Sequence, residues 1–401
     1  MKILFVHDNY PAQFGVLGGA LARLGWDVRF ATAWEGAEGK GAPFIHYAKG
    51  REASAQTHPY AHHWDKAVIR GQSAARGFLA ARDQGYRPDI IMAHSGWGSG
   101  TFARDIWPNA KFVPYLEWWY NYPAPDSLSI GDHENDLHRR LLQRGRNAPL
   151  AVDMVGADLC LCPTHFQASQ FPADLRERLT VIHDGVDTTL HAPAAKPVET
   201  AAGVDLSGME EITTFFTRGM EPHRGYPQFM RALADLQERR PGLHAIIGGK
   251  DRVAYGRQLP EGESWRQRIE AELADRLDMS RIHYVGLQPR TEFIKVLQAS
   301  HAHIYLTADF VLSWSMLDAM AIGCPMIVSD CPPVREFMDE TTGVLVGLHD
   351  HGALTAAIEY SLDNREAMQA RGQAARAVIT ENYDATDIYA QKDRMLRELI
   401  A

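Results

Sequence analysis

The stretch VLSWSMLDAMAIGCPMIVSD, Val311 to Asp330, decides how the chain is read. Ser313 suits a helix N-cap, apolar residues then recur at helical spacing, and Gly323 marks the stop. Pro325 to Ser329 follows as a short apolar run, the mark of a strand buried on both faces of a parallel sheet. With Ser313 as the cap, the amides of Trp314, Ser315 and Met316 are expected to be unpaired and aimed at the end of the preceding strand, which makes an anion site. Asp318, one turn further in, opposes an anion but can accept two hydroxyl hydrogen bonds from a ribose. A nucleoside diphosphate meets both needs. The plainer alternative for Asp318 is first-turn charge that complements the helix dipole.

The same strand–helix rhythm runs outward in both directions and gives an α/β fold class with parallel sheets. In the N-terminal half, strands are predicted at 2–7, 27–31, 89–93, 111–116, 159–162 and 180–183. The leucines of HENDLHRRLLQRGRNAPLAV, from His133, predict a helix. In the C-terminal half, strands are predicted at 212–217, 244–248, 281–285, 303–306, 325–329 and 344–346. Helices near 227–239, 264–276, 291–300, 313–322 and 353–362 connect them. Between the halves the sequence is rich in Ala, Pro and Thr and loses its periodicity. The expected organisation is an N-terminal domain over 1–190, a linker over 191–210, a second domain over 211–380 and a closing helix over 381–401 that can pack back on the N-terminal domain. Each domain is expected to be doubly wound, with the two facing across a cleft and ligands bound at the carboxyl ends of the strands.

Bulk composition agrees. The chain has 401 residues, which favours two domains, with 45% hydrophobic and 23% charged residues. A net charge of -9 without a Lys/Arg block gives no sign of nucleic-acid binding. No apolar run reaches the roughly 18 residues a membrane span needs. The start, MKILFVHDNYP, reads as a strand rather than a signal peptide. Cys160, Cys162, Cys324 and Cys331 fit buried thiols better than a disulfide framework or a metal knuckle, and a cytoplasmic location follows.

Four further loops carry candidate chemistry. Gly15, Gly18 and Gly19 lie between the first strand and its helix, where glycines let a backbone approach a phosphate or simply permit close packing. His94 follows a strand directly, well placed as an acid, base or hydrogen-bond donor. Glu117, Trp118 and Tyr120 belong to PYLEWWYNYPAP, whose aromatics suit either stacking on a sugar or a domain core. Arg218 and Arg224, in TRGMEPHRGYPQFM, suit a diphosphate through charge-assisted hydrogen bonds.

In their order along the chain, these segments resemble the GT-B glycosyltransferases of family 4. SWSMLDAMAIGCPMIVSDCPPVREFM resembles that family's C-terminal signature, TVIHDGVDTTLHAP its domain junction, and PHRGYPQFMRAL its phosphate loop. The resemblance implies a retaining, metal-independent transfer from a nucleoside-diphosphate sugar to a glycan, lipid-linked or small-molecule acceptor, with no further cofactor. It implies ribose binding by Asp318, phosphate binding by Arg224 and Arg218, and a place for His94 at the transferred sugar. Gly18 and Gly19 fall at the family's N-terminal glycine loop, and Gly286 in its nucleobase segment. Phe310 stands where the first Glu of the family's Glu-x7-Glu pair is expected, with Asp309 beside it as a substitute. Epimerase, phosphorylase and non-catalytic binding functions share the same architecture. A peripheral membrane contact at the inner face, through the basic stretch His138 to Arg146, competes with a merely solvated helix face.

Overall fold

The computed structural model describes residues 1–37, 43–131 and 136–401. Residues 133–135, which open the helical stretch read from His133, lie outside the described residues. The chain divides into two compact units: Met1–Ala124 with Glu134–Gly185 and Ala385–Ala401, and Pro125–His133 with Val186–Asp384.

The first unit holds β1 (Lys2–Val6), β2 (Asp27–Thr32), β3 (Phe44–His46), β4 (Ile90–His94), β5 (Lys111–Tyr115), β6 (Cys160–Cys162) and β7 (Leu179–Val181). They form one parallel sheet in the order β3-β2-β1-β4-β5-β6-β7. Strand β3 was not expected from the sequence, because its three residues alternate too briefly to show a period. One face of the sheet buries Phe5, Phe14 and Leu21, and the other buries Leu4, Phe78 and Ile91. The helix Ala385–Ile400 belongs here: Ile388, Tyr389 and Leu396 join the first of these cores. Buried Lys392 on that helix reaches Asp184 at 3.1 Å, and Tyr115 donates to the other oxygen of Asp184 at 2.6 Å.

The second unit opens with a two-stranded antiparallel ribbon, β8 (Thr200–Ala201) and β9 (Val204–Asp205). This corrects the reading of 191–210 as a linker. Ala201 and Leu206 are buried against Ile212, Ile246 and Val296, so the segment is part of the unit's packing. Then follow β10 (Glu211–Gly219), β11 (Leu243–Lys250), β12 (Ile282–Gly286), β13 (Ala302–Tyr305), β14 (Met326–Ser329) and β15 (Val344–Val346). Their order, β12-β11-β10-β13-β14-β15, is parallel throughout and reverses direction between β10 and β13. That reversal is the switch point at which such sheets open a crevice for ligands.

The opening stretch behaves as read in its main lines. A helix spans Trp314–Ile322 and ends at Gly323, whose φ of +76° is the left-handed cap that glycine adopts without steric cost. Its Met316, Leu317, Met320 and Ile322 are buried, each stabilising the packing by about 1.5–3 kcal/mol. No described helix is long and apolar enough to cross a membrane. The four cysteines are buried thiols.

Candidate functional site

In the second unit the carboxyl ends of β10, β11 and β12 and the start of the helix Trp314–Ile322 enclose a cavity of about 360 Å³. Arg218, Gly286, Arg290, Ser313, Ser315 and Asp318 line it, with Phe216 and Phe293 as its apolar wall. Three separate loops therefore deliver residues that the sequence had singled out one by one.

Ser313 has the extended backbone of an N-cap, but its side chain makes no capping bond. Its hydroxyl instead pairs with that of Ser315 at 2.8 Å, and its amide donates to the Tyr305 hydroxyl at 2.8 Å. The Met316 amide is also taken, by the Ser313 carbonyl at 3.1 Å. Of the expected trio of open amides, Trp314 and Ser315 make no bond to a described residue, and two hydroxyls supplement them. The Trp314 side chain is exposed and stays out of the cavity wall.

Asp318 is buried on the cavity floor and is already partnered. Arg290 Nη2 donates to both carboxylate oxygens, at 3.1 and 3.0 Å. His191 Nε2 lies 3.6 Å from Oδ1. The tautomer of His191 follows from its neighbours: Nδ1 faces the Asp187 carbonyl at 2.9 Å, and Nε2 accepts from Arg290 Nε at 3.0 Å. In the neutral ring the proton therefore sits on Nδ1. Burial holds the Asp318 carboxyl above the usual carboxylate range, while His191 and then Arg290 pull it back down. Sequence reasoning missed Arg290 and His191. The signal for Arg290 was its place directly after Pro289 at the start of the helix Arg290–Gln298, in a segment already marked as ligand-facing.

Arg224 sits in a short 3₁₀ turn, Pro222–Arg224, and is buried. Its guanidinium donates to Thr307 Oγ1 at 2.7 Å and to the Val311 carbonyl at 3.0 Å. The next residue must be glycine: Gly225 has φ +70°, and a Cβ there would meet Leu306 Cβ at 2.3 Å. Tyr255 supports both arginines. Arg224 lies over its ring at 4.8 Å, and Arg218 Nη1 donates to its hydroxyl at 3.4 Å. Fully buried Glu221 fixes the loop that carries Tyr255 by accepting from the amides of Ala254, Tyr255 and Gly256, at 3.0, 3.1 and 2.8 Å. Arg224 is not on the wall of the 360 Å³ cavity, whereas exposed Arg218 is.

Phe310 packs against Tyr255, ring centroids 5.3 Å apart. Asp309 does not line the cavity, and its amide donates to Ser129 Oγ at 3.1 Å. Burial, then the charge of Asp126, holds its carboxyl above the usual range. The structure therefore does not bring Asp309 together with Asp318 as a substitute for the missing acid.

The first unit collects its own cluster. His94 ends β4 and is buried; Nδ1 faces the Ser95 carbonyl at 3.0 Å and Nε2 faces Glu117 Oε2 at 3.4 Å. His7, at 4.9 Å between ring centroids, is pushed down to about 3 by burial first and by His94 second, so it stays neutral. Beneath the loop after β4, buried Asp153 accepts from Ser95 and Thr101, at 2.6 and 2.8 Å. One expectation needs correction here. Gly15, Gly18 and Gly19 do not form a loop; they lie inside the helix Phe14–Arg23. A Cβ on Gly18 would stand 2.7 Å from Phe30 Cζ, so this glycine is required by packing. Trp118 is buried, and Arg146 covers one face of the partly buried Tyr120 ring at 3.8 Å. Of that group, Glu117 joins the His94 cluster.

Comparison with known families gives two matches. Residues 24–191 match the model described as Glycosyl transferase family 4 group, and residues 201–378 match Glycosyl transferases group 1. A glycogen synthase of Mycobacterium tuberculosis is 24% identical over 313 residues, covering 75% of this chain and 67% of the relative. A D-inositol 3-phosphate glycosyltransferase of Mycolicibacterium smegmatis is 28% identical over 313 residues, covering 74% and 65%. Among solved structures, a sucrose-phosphate synthase from Thermosynechococcus elongatus aligns with a TM-score of 0.72 at 17% identity, over 100% of this chain and 99% of its own. Anabaena HepE, solved with UDP and glucose, aligns with a TM-score of 0.74 at 16% identity, over 99% and 100%. At these identities the structural likeness establishes the fold.

Proposed function

Since the chain belongs to the GT-B glycosyltransferases, with a family 4 group domain followed by a group 1 domain, we propose that its donor is a nucleoside-diphosphate sugar held in the 360 Å³ cavity of the second unit. The observation that carries this reading is the arrangement around Asp318. A buried acid stands one turn inside a helix whose open amides, Ser313 and Ser315 hydroxyls and neighbouring Arg218 suit a diphosphate. The acid suits the ribose hydroxyls. That solved neighbours of the same fold hold UDP supports testing uridine first.

In this proposal transfer retains the anomeric configuration and uses no metal. The bond from the sugar's anomeric carbon to the diphosphate oxygen breaks as the bond to the acceptor oxygen forms on the same face. The acceptor's proton passes to the departing phosphate. Arg218 and Arg224, held by Tyr255, Thr307 and Val311, supply positive charge where negative charge develops. His94, with Glu117 facing its Nε2, is assigned to the transferred sugar. Glycan, lipid-linked and small-molecule acceptors all fit this chemistry. For a lipid-linked one, the helix Leu137–Arg146 offers four arginines beside Leu137 and Leu141, which are 66% and 38% exposed, as a contact for an anionic membrane.

The test is a thermal-shift screen of uridine, guanosine and adenosine diphosphates and their sugars. A ligand at about one hundred times its Kd stabilises the fold by about 2.7 kcal/mol, which is readily seen. One nucleotide class is expected to raise the melting temperature. Absence of any shift across all three classes overturns the reading.

A further inference from the structure

The sheet of the second unit has a second cavity, of about 560 Å³, at the edge opposite the one just described. It lies at the amino-terminal ends of the strands, where Ile212 is the second residue of β10 and His301 and Pro325 directly precede β13 and β14. Pro193, Pro197, Val198, Leu206 and Met209 form its apolar wall. Arg365, Arg376 and His301 form the polar one, with Gln298, Gln369 and Gln373. No Asp or Glu is among the lining residues, and neither arginine forms an ion pair with any described residue.

Their hydrogen bonds leave the two positive charges uncompensated. Arg376 donates to the carbonyls of His191 at 2.9 Å, Thr188 at 3.3 Å and Ala321. Arg365 Nη2 donates to the Glu210 carbonyl. Its Nη1 points at His301 Nε2, 3.5 Å away. This contact pairs two donors. His301 Nδ1 accepts from the Ile212 amide at 3.0 Å, so in the neutral ring the proton is on Nε2, and a guanidinium has no acceptor. An oxygen placed between Arg365 Nη1 and His301 Nε2 would satisfy both.

We propose that this cavity is a binding site for a small organic phosphate monoester, separate from the donor cavity. Two guanidinium charges match the charge of about −1.5 to −2 that a phosphomonoester carries at neutral pH. The apolar wall takes the organic body, and a volume of 560 Å³ is within the range of small-molecule sites. Arg365 and His301 hold the phosphate oxygens through charge-assisted and neutral N–H bonds, and Arg376 completes the field.

The probe is phenyl phosphate, titrated calorimetrically into the full chain. Saturable binding is expected. Arg365→Gln is expected to weaken it at least about tenfold, the loss of one charge-assisted hydrogen bond. Gln369→Glu, on an exposed position of the helix Arg365–Asn382, adds a negative charge without changing shape and is expected to weaken it as well. Arg218→Gln, in the other cavity, is expected to leave it unchanged, so the result stands whether or not that cavity takes a nucleotide. No saturable heat up to about 10 mM, the weak end of specific binding, overturns the proposal. So does wild-type affinity in both Arg365→Gln and Gln369→Glu, or a loss confined to Arg218→Gln.

Discussion

Arg290 Nη2 donates to both carboxylate oxygens of Asp318, at 3.1 and 3.0 Å, so the acid assigned to the ribose is paired before any ligand arrives. The Arg290 side chain is 53% exposed while Asp318 is 9% exposed, which puts the cation at the rim and the acid on the floor. Burial raises the Asp318 carboxyl, and Arg290 is one of two groups opposing that rise. Arg290→Gln therefore lifts the carboxyl further and shrinks its ionised fraction at low pH. Nucleotide affinity of this variant, measured by calorimetry, is expected to fall more at about pH 5.5 than at about pH 8. An equal loss at both values would mean that Arg290 acts on the ligand directly and not through Asp318.

Arg224 is held at two points, Thr307 Oγ1 and the Val311 carbonyl, and lies over Tyr255. Arg224→Ala is expected to slow donor turnover by more than about tenfold, the scale of removing one group that stabilises developing charge. Arg224→Lys keeps the charge but cannot make both anchoring bonds in the same plane, and its rate is expected to fall between the two. Steady-state release of nucleoside diphosphate gives the ranking. Wild-type turnover in Arg224→Ala would remove this loop from the leaving group.

Glu221 accepts three amides from the 254–256 loop while fully buried. In Glu221→Ala those donors lose their acceptor, at about 1–3 kcal/mol for each one left unsatisfied. Tyr255 then loses the platform that sets it under Arg218 and Arg224. A lower melting temperature together with lower turnover is expected. Lower stability with unchanged turnover would show that the Tyr255 contacts are incidental.

Asp153 gives a test by pH. Burial raises its carboxyl to about 6, only partly offset by Ser95 and Thr101. Between the unfolded value, near about 3.9, and this one, the folded chain holds a proton that the unfolded chain releases. The associated stability is fully present below the unfolded value and is lost as pH rises through the folded one. Integrated, the loss is about 2–3 kcal/mol. Asp153→Asn is expected to flatten the pH dependence of urea unfolding over this window. A variant with the wild-type slope would place the titration elsewhere.

Much of the second unit was legible because several of its strands are short apolar runs bounded by Gly or Pro, such as Met326–Ser329 after Pro325 and Val344–Val346 before Gly347, and its helices keep a clear period. The strand Val344–Val346 and the helix carrying Asp318 fall where they were read, the helix starting one residue later. Short elements were not legible: Phe44–His46 and the ribbon at 200–205 are shorter than any period. Glycines misled at the N-terminus, since a glycine needed for packing against Phe30 and one needed by a phosphate look alike in sequence. Arg218, Ser313, Ser315 and Asp318 were found singly, and the fold brings them to one cavity. Arg290, His191, Glu221 and Tyr255 were missed because their roles exist only through partners distant in sequence, such as the pairs Arg290–Asp318 and Glu221–Gly256.

The most direct test is a crystal structure of the chain soaked with the nucleoside diphosphate that stabilises it best. The account predicts ribose hydroxyls within about 3.2 Å of the Asp318 carboxylate, a hydrogen-bonding distance, and the diphosphate at Ser313, Ser315 and Arg218. A nucleotide seated with its ribose away from Asp318, or bound outside the cavity at the ends of β10 to β12, would contradict it.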